Sequence, residues 1–208
     1  MPDDDAPTPP FDALVLAGGA GRRLGGGKPQ VQVAGRALVD HALAAVAGAL
    51  HRVLVGPADL ARPGVPTTLE DPPLGGPVAG IAAGVAALQA LDDPAAVVVV
   101  LACDVPRAGA VVASLVRAVA GADGARLVDA DGRPQHLVAA YSAPALAAAL
   151  VALGDPRGAP VRRLVEHLDL RDVPDPGGAA DDADTWDQVR RLDAELRGTI
   201  KPTEGSPA

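Results

Sequence analysis

The stretch Ala95-Ala-Val-Val-Val-Val-Leu101 constrains this chain more than any other. It is apolar without alternation and rich in β-branched residues, which favour strands. Such a run reads as a strand covered on both faces, the situation of a central strand in a parallel sheet. A sheet of that kind needs helices on either side, and the sequence supplies them. Ala13–Leu16 reads as a first strand that ends in Gly18-Gly19. Ala37–Leu50 has apolar residues at helical spacing. Arg52–Val55 is a second strand stopped by Gly56-Pro57, and Thr67–Glu70 is a possible third. Gly76-Pro77 opens a helix over Val78–Leu91, and Ala110–Val119 follows the central run as another. This alternation predicts an α/β fold with a mostly parallel sheet.

The second half changes in texture. Ala125–Val128 and His136–Ala140 read as strands around a polar turn, Asp129–Arg133, forming a hairpin added to the sheet or an insertion. Pro144–Leu153 and Val161–His167 read as helices, and Asp169–Val173 as a last strand. Pro174–Asp184 is built from Gly, Ala, Pro and Asp and reads as a loop. Asp184–Arg197 closes with a helix that sets Trp186, Val189, Leu192 and Leu196 on one face. The expected organisation is a tail over 1–10, one domain over 11–197 and a second tail over 198–208, with no internal repeat.

Composition narrows the function. Of 208 residues, 49% are hydrophobic but only 1% are aromatic, so the core is made of Ala, Val and Leu. Rings on which to stack single-stranded bases are missing. The net charge of −8 leaves no basic footprint for a nucleic-acid duplex. Cys103 is the one cysteine, which excludes a disulfide framework and a multi-cysteine zinc site. No apolar stretch reaches the ~18 residues of a membrane span, and Met1–Pro10 lacks the features of a secretion signal. A cytoplasmic protein without a membrane or nucleic-acid partner is expected. Lysine and arginine total 18, yet only Lys28 and Lys201 are lysines.

Lys28 closes a glycine loop, Leu16-Ala-Gly-Gly-Ala-Gly-Arg-Arg-Leu-Gly-Gly-Gly-Lys28, directly after the first strand. Such loops let backbone N–H groups approach phosphate oxygens. It is not a P-loop: Arg22 stands where the first Gly is needed, and Pro29 follows Gly27-Lys28 in place of Ser or Thr. It is not a dinucleotide fingerprint either, because Leu24 occupies the third Gly position. What remains is a cationic loop, with Arg22, Arg23 and Lys28, suited to a triphosphate.

The order L-A-G-G-x-x-x-R-[ML]-G-x-x-K resembles the opening of the MobA-like nucleotidyltransferases, above all the molybdenum cofactor guanylyltransferases. The resemblance implies that Leu16, Ala17, Gly18, Gly19 and Lys28 wrap a nucleoside triphosphate while Arg23 and Lys28 neutralise the departing pyrophosphate. Where the family commonly has Asp before the Lys, this chain has Gly27. Glu70-Asp71-Pro72-Pro73-Leu74-Gly75-Gly76-Pro77-Val78-Ala79-Gly80-Ile81 is similar to the second motif, an acid followed by G-P-L-A-G. There Asp71 would accept from a ribose hydroxyl or base, and Gly76, Pro77 and Gly80 would sit against the nucleotide. Asp104, in Cys103-Asp104-Val105-Pro106, resembles the family's magnesium aspartate; read alone, it also suits a helix cap.

Arg133-Pro134-Gln135-His136-Leu137 resembles the family's acceptor segment, so Arg133 and Gln135 are candidate acceptor contacts or, equally, residues of a solvated hairpin. Arg157, in Gly154-Asp155-Pro156-Arg157-Gly158, is a further acceptor candidate. Asp182-Ala183-Asp184-Thr185-Trp186-Asp187 resembles N-x-N-T-P-E-D, with Asp at both Asn positions and Trp in place of Pro. Asp184 is thus a second metal ligand or, like Thr185, a helix cap. The resemblance covers about Ala13–Leu196. It implies a Rossmann-like three-layer sandwich of the nucleotide-diphospho-sugar transferase type with a small hairpin insertion. The implied activity is Mg²⁺-dependent transfer of a nucleoside monophosphate, GMP from GTP, to a phosphorylated acceptor such as molybdopterin. A cytidylyl or sugar-phosphate transferase, or a nucleotide binder without catalysis, are the alternatives.

Overall fold

The structure is a computed structural model and describes residues 7–18 and 27–199. In chain order its strands are β1 (Asp12–Leu16), β2 (Gln32–Val33), β3 (Arg36–Ala37), β4 (Arg52–Val55), β5 (Thr67–Thr68), β6 (Val97–Ala102), β7 (Gly124–Val128), β8 (Pro134–Ser142) and β9 (Leu170–Pro174). Its helices are α1 (Leu38–Ala45), α2 (Pro77–Gln89), α3 (Val112–Ala118), α4 (Ala143–Leu153), α5 (Val161–Leu164) and α6 (Trp186–Thr199). The main sheet has the order β5-β4-β1-β6-β8-β7-β9. All of its strands run in one direction except β8, which is antiparallel to both β6 and β7.

The period of two along each strand divides the interior into two layers. Ala13, Val15, Val99, Leu101 and Ala140 face a core built with Leu43, Val112 and Leu115 from α1 and α3. Leu14, Leu16, Val98, Val100 and Tyr141 face the opposite core, with Ile81, Val85 and Leu146 from α2 and α4. The expected three-layer α/β architecture holds. Helix α2 lies close on the sheet because Gly84 carries no side chain: a Cβ there would come within 2.8 Å of Leu14 Cδ2. Among the described residues, no helix is long and apolar enough to cross a membrane.

Of the two readings of the β7–β8 hairpin, addition to the sheet is the one observed: it lies in the main sheet between β6 and β9, and Val138, Ala139 and Ala140 are buried there. Other expectations are corrected. The helix expected to run to His167 ends at Leu164. The short β2–β3 hairpin was not legible as strands. Its two turn residues, Ala34 and Gly35, have φ of 50° and 78°, the left-handed pair that tight hairpins require. On α6, Val189 and Leu192 are buried as expected, but Trp186 is half exposed, off the packed stripe at the helix start.

At the amino edge of the sheet, Asp12 is the buried charged residue among those described. Its Oδ2 accepts from the Ala95 N–H at 2.8 Å and its Oδ1 from the His51 N–H at 3.1 Å, with His51 Nδ1 3.0 Å away. One carboxyl group thereby ties together the entries to β1, β4 and β6. Asp12→Ala orphans two backbone donors in the interior and is expected to cost about 3 kcal/mol of unfolding free energy, measured by urea titration.

Candidate active site

Strands β5, β4, β1 and β6 all deliver their carboxyl ends to one edge. β1 is followed in sequence by connections to β4 on one side, and the chain later returns through β6 on the other. Open α/β sheets bind ligands outside the carboxyl ends at such a switch point. The ladder continues past the strands: the Cys103 N–H donates to Leu16 O at 3.0 Å, and the Ala17 N–H to Val55 O at 2.8 Å. Asp104 therefore emerges beside the glycine loop.

Lys28 is the hub of this edge. Its Nζ donates to Asp104 Oδ2 at 2.6 Å and also bonds Asp184 Oδ1. Its side chain is only 16% exposed. Burial pulls the ammonium's pKa down, but the charge and hydrogen bond of Asp104, joined by Asp184, outweigh that and leave it raised. Gly27 precedes it with φ 68° and ψ 19°, at the cap of a short 3-10 turn, Lys28–Gln30. That left-handed conformation is what the position demands, and Gly meets it without steric cost.

Asp184 reaches Lys28 because two contacts carry it there. The Ala183 N–H donates to Asp104 O at 2.9 Å. Helix α6 docks on the β2–β3 hairpin through a third small core of Val33, Leu38, Ala183, Val189 and Leu192, and Asp193 Oδ1 accepts from the Ala34 N–H at 2.7 Å. Asp184 is not the helix cap. Thr185 is: its Oγ1 accepts from the Gln188 N–H at 3.3 Å, and the Val189 N–H bonds its carbonyl at 2.9 Å. Gln188 returns the interaction, accepting from the Thr185 hydroxyl and from the Asp184 N–H, while its Nε2 donates to Asp182 Oδ1 at 2.7 Å. Burial, then the charges of Asp184 and Asp104, raise the Asp182 carboxyl above its ordinary range. The two aspartates thus have different partners: Asp184 faces Lys28, and Asp182 faces Gln188.

A cavity of about 240 Å³ adjoins this centre. It is lined by Ala17, Gly18, Gly27, Pro29, Gln30, Pro57, Asp59, Leu60, Leu69, Glu70, Pro73 and Leu74. Gly27 and Pro29 flank Lys28 in sequence, so the cavity borders the backbone on either side of Lys28, while the Lys28, Asp104 and Asp184 side chains are not part of its lining. Gly76, with φ 89°, caps α2, and Pro77 is that helix's first residue. The amino end of α2 accordingly starts from the same edge, where backbone N–H groups favour anions.

The sequence pattern of the MobA-like NTP transferase domain family matches residues 13–173. The chain belongs to that family. A molybdenum cofactor guanylyltransferase of Acidiphilium cryptum (strain JF-5) is 45% identical over 78 residues, a stretch that is 35% of this chain and 40% of that protein. Among solved structures, molybdopterin-guanine dinucleotide biosynthesis protein A from Archaeoglobus fulgidus superimposes with a TM-score of 0.68 at 22% identity, over 91% of this chain and 100% of that one. A Mycobacterium tuberculosis H37Rv protein, solved in complex with manganese, gives 0.64 at 19% identity over 88% and 97%. At these identities the two structures establish the fold.

Against the MobA-like pattern, the structure brings together Leu16, Ala17, Gly18, Lys28, Asp104 and Asp184. Gly19 and Arg23 lie outside the described residues, as does Arg22. Asp71 is exposed at the start of the loop that leads to α2. Gly80 is buried, and a Cβ there would sit 3.4 Å from Val55 Cγ1, so its surroundings are those of helix–sheet packing. Register places the β7–β8 tip at the same edge as Asp104. There Arg133 pairs with Asp131 at 2.8 Å and Gln135 Nε2 donates to Asp129 at 2.9 Å. Arg157 forks onto Asp155, and the neighbouring Gly158 N–H donates to Gly75 O at 2.7 Å, which draws that loop to the entry of α2. Cys103 is buried, its thiol pushed up to about 12 by burial and by Asp104. Sequence reasoning missed Gln30, Asp59 and Gln188. The Thr185-x-x-Gln188 spacing of a capping box was the available signal for the last.

The two roles in the 184–185 pair separate by substitution. Thr185→Ala is expected to cost about 1 kcal/mol of stability through loss of the cap. Asp184→Asn keeps that cap and should leave the helical signal of α6 intact. Urea unfolding followed by circular dichroism checks both.

Proposed function

We propose that this chain is a Mg²⁺-dependent guanylyltransferase that moves GMP from GTP to the phosphate of molybdopterin cofactor in the cytosol and releases pyrophosphate. The observation that carries the reading is the convergence of Asp104 and Asp184, from distant parts of the chain, on the single cationic atom of Lys28. Two carboxylates aimed at one position beyond the carboxyl ends of the strands suit a hard divalent cation. Magnesium is commonly held by one or two carboxylates with phosphate and water completing its shell. Guanine is favoured because Asp59 and Glu70, both acceptors, line the cavity and suit the N1–H and N2 donors along one edge of that base. The partial likeness to a guanylyltransferase supports the same choice.

An ionised phosphate oxygen of the acceptor attacks the α-phosphorus of GTP. A new P–O bond forms, the bond to the bridging oxygen breaks, and its electron pair leaves with pyrophosphate. No protein nucleophile is needed; positioning and charge stabilisation supply the rate. Asp104 and Asp184 would hold the cation by giving up their bonds to Lys28, and the cation would supply neutralisation of charge developing on the transferring and departing phosphates. Lys28, a compact ammonium with rotatable donors, stabilises the leaving pyrophosphate together with Arg23. The amino end of α2 and the backbone of Gly18 bind phosphate oxygens, and Asp71 accepts from the ribose. Arg133, Gln135 and Arg157 exchange their local carboxylate partners for the acceptor.

Three measurements test this. In a thermal-shift panel with Mg²⁺, GTP should raise the melting temperature more than CTP, ATP or UTP; a larger shift with CTP would move the assignment to a cytidylyltransferase. Asp104→Asn should abolish pyrophosphate release while the fold remains intact, and turnover independent of Asp104 overturns the metal assignment. Lys28→Arg keeps the charge but replaces a point donor with a planar fork between two carboxylates. It is expected to lower kcat/KM at least tenfold, equivalent to about 1.4 kcal/mol, with little change in melting temperature. A protein that binds GTP tightly but never releases pyrophosphate, with acceptor present, is a binder and not an enzyme.

A further inference from the structure

Leu74 is held in an unfavourable state that the fold does not use. Its φ is +67°, in the left-handed region that bulky side chains avoid. Among the described residues the other non-glycine residues with positive φ are Ala34 and Asp93, both small enough for tight turns. Leu74 is also 75% exposed and joins none of the three buried cores. Glycine at this position would remove the backbone cost and bare no apolar surface.

The surrounding contacts fix Leu74 where it is. Its N–H donates to Glu70 Oε1 at 3.0 Å, and Pro73 and Gly75 flank it in sequence. The large apolar side chains exposed among the described residues are Leu50, Leu69, Leu74, Val151 and Trp186. Two of these, Leu69 and Leu74, line the same cavity, the one that Gly18, Gly27 and Pro29 also line. Both line it together with the acceptors Asp59 and Glu70. Apolar surface next to edge-reading carboxylates matches a flat heteroaromatic ring, which has apolar faces and polar edges.

We propose that Leu74 is a specificity-determining residue that packs against the face of the nucleobase, with Glu70 acting as a positioning residue that holds the strained turn. This rests on the reading that the cavity receives the nucleoside of the triphosphate. Burial of Leu74 against the base then gives the exposed, strained leucine its benefit in the complex and not in the free protein.

The test measures binding by titration calorimetry in the presence of Mg²⁺ for wild type, Leu74→Gly and Leu74→Met, with GTP and with pyrophosphate as probes. Leu74→Gly should weaken GTP at least about fivefold, leave pyrophosphate within twofold, and keep or raise the melting temperature of the free protein. Leu74→Met, which restores apolar surface, should bind GTP within about twofold of wild type. GTP affinity unchanged in Leu74→Gly overturns the inference, as does an equal loss for pyrophosphate, which would mark a general disturbance of the loop. If wild type binds pyrophosphate but none of the four triphosphates more tightly, the nucleoside reading of the cavity fails and this inference fails with it.

Discussion

Parallel pairing of β1 with both β4 and β6 is the constraint from which the rest follows. It requires cover on both faces, which the Val-rich β6 and the alternating cores supply. It also gathers at one edge the segments that follow β1, β4, β5 and β6. The chemistry of the site is a consequence of that gathering: a glycine loop, an acid after a buried strand and the mouth of a cavity are brought together by strand direction alone. Asp12 at the opposite edge secures the three strand entries, so that the geometry at the carboxyl ends rests on a fixed base.

Asp184 does not come from a strand end, and a different device delivers it. Helix α6 crosses back to the start of the chain and rests on the β2–β3 hairpin, immediately after Lys28. The Thr185–Gln188 cap fixes the register at which the helix begins, while Arg107 fastens the preceding loop through Gly177 O at 2.7 Å and the helix itself through Glu195 at 3.1 Å. Lys28 and Asp184 are therefore brought together by apolar contacts that neither of them makes.

Much of this was legible in the sequence, for identifiable reasons. The continuous apolar run over Ala95–Leu101 and the shorter runs around it mark the parallel core because burial on both faces erases alternation. Lys28 stood out in a chain that otherwise uses arginine, and Asp104 stood at the end of the central strand. The β2–β3 hairpin was illegible because two-residue strands carry no periodicity, and its turn uses Ala34, not a turn-forming residue, held by Asp193 from far along the chain. Trp186 was assigned to the packed face because helical spacing alone does not distinguish the first residue of a helix from its interior. The division between Asp182 and Asp184 depends on a side-chain amide three or more residues downstream, and the lining of the cavity depends on loops whose conformation no local pattern encodes.

The separateness of the small core under α6 has a consequence of its own. Val33, Leu38, Ala183, Val189 and Leu192 form a cluster distinct from the two layers that hold the sheet. Cooperative units of a protein open at free energies set by their own buried contacts, and a unit with few of them opens first. Fraying of α6 would withdraw Asp184 from Lys28 and Asp104 while every strand of the main sheet stayed paired. The chain thus contains two stabilities, one of the scaffold and a lower one of the assembled site, and mild heat or denaturant would dismantle the second while the first still looked native.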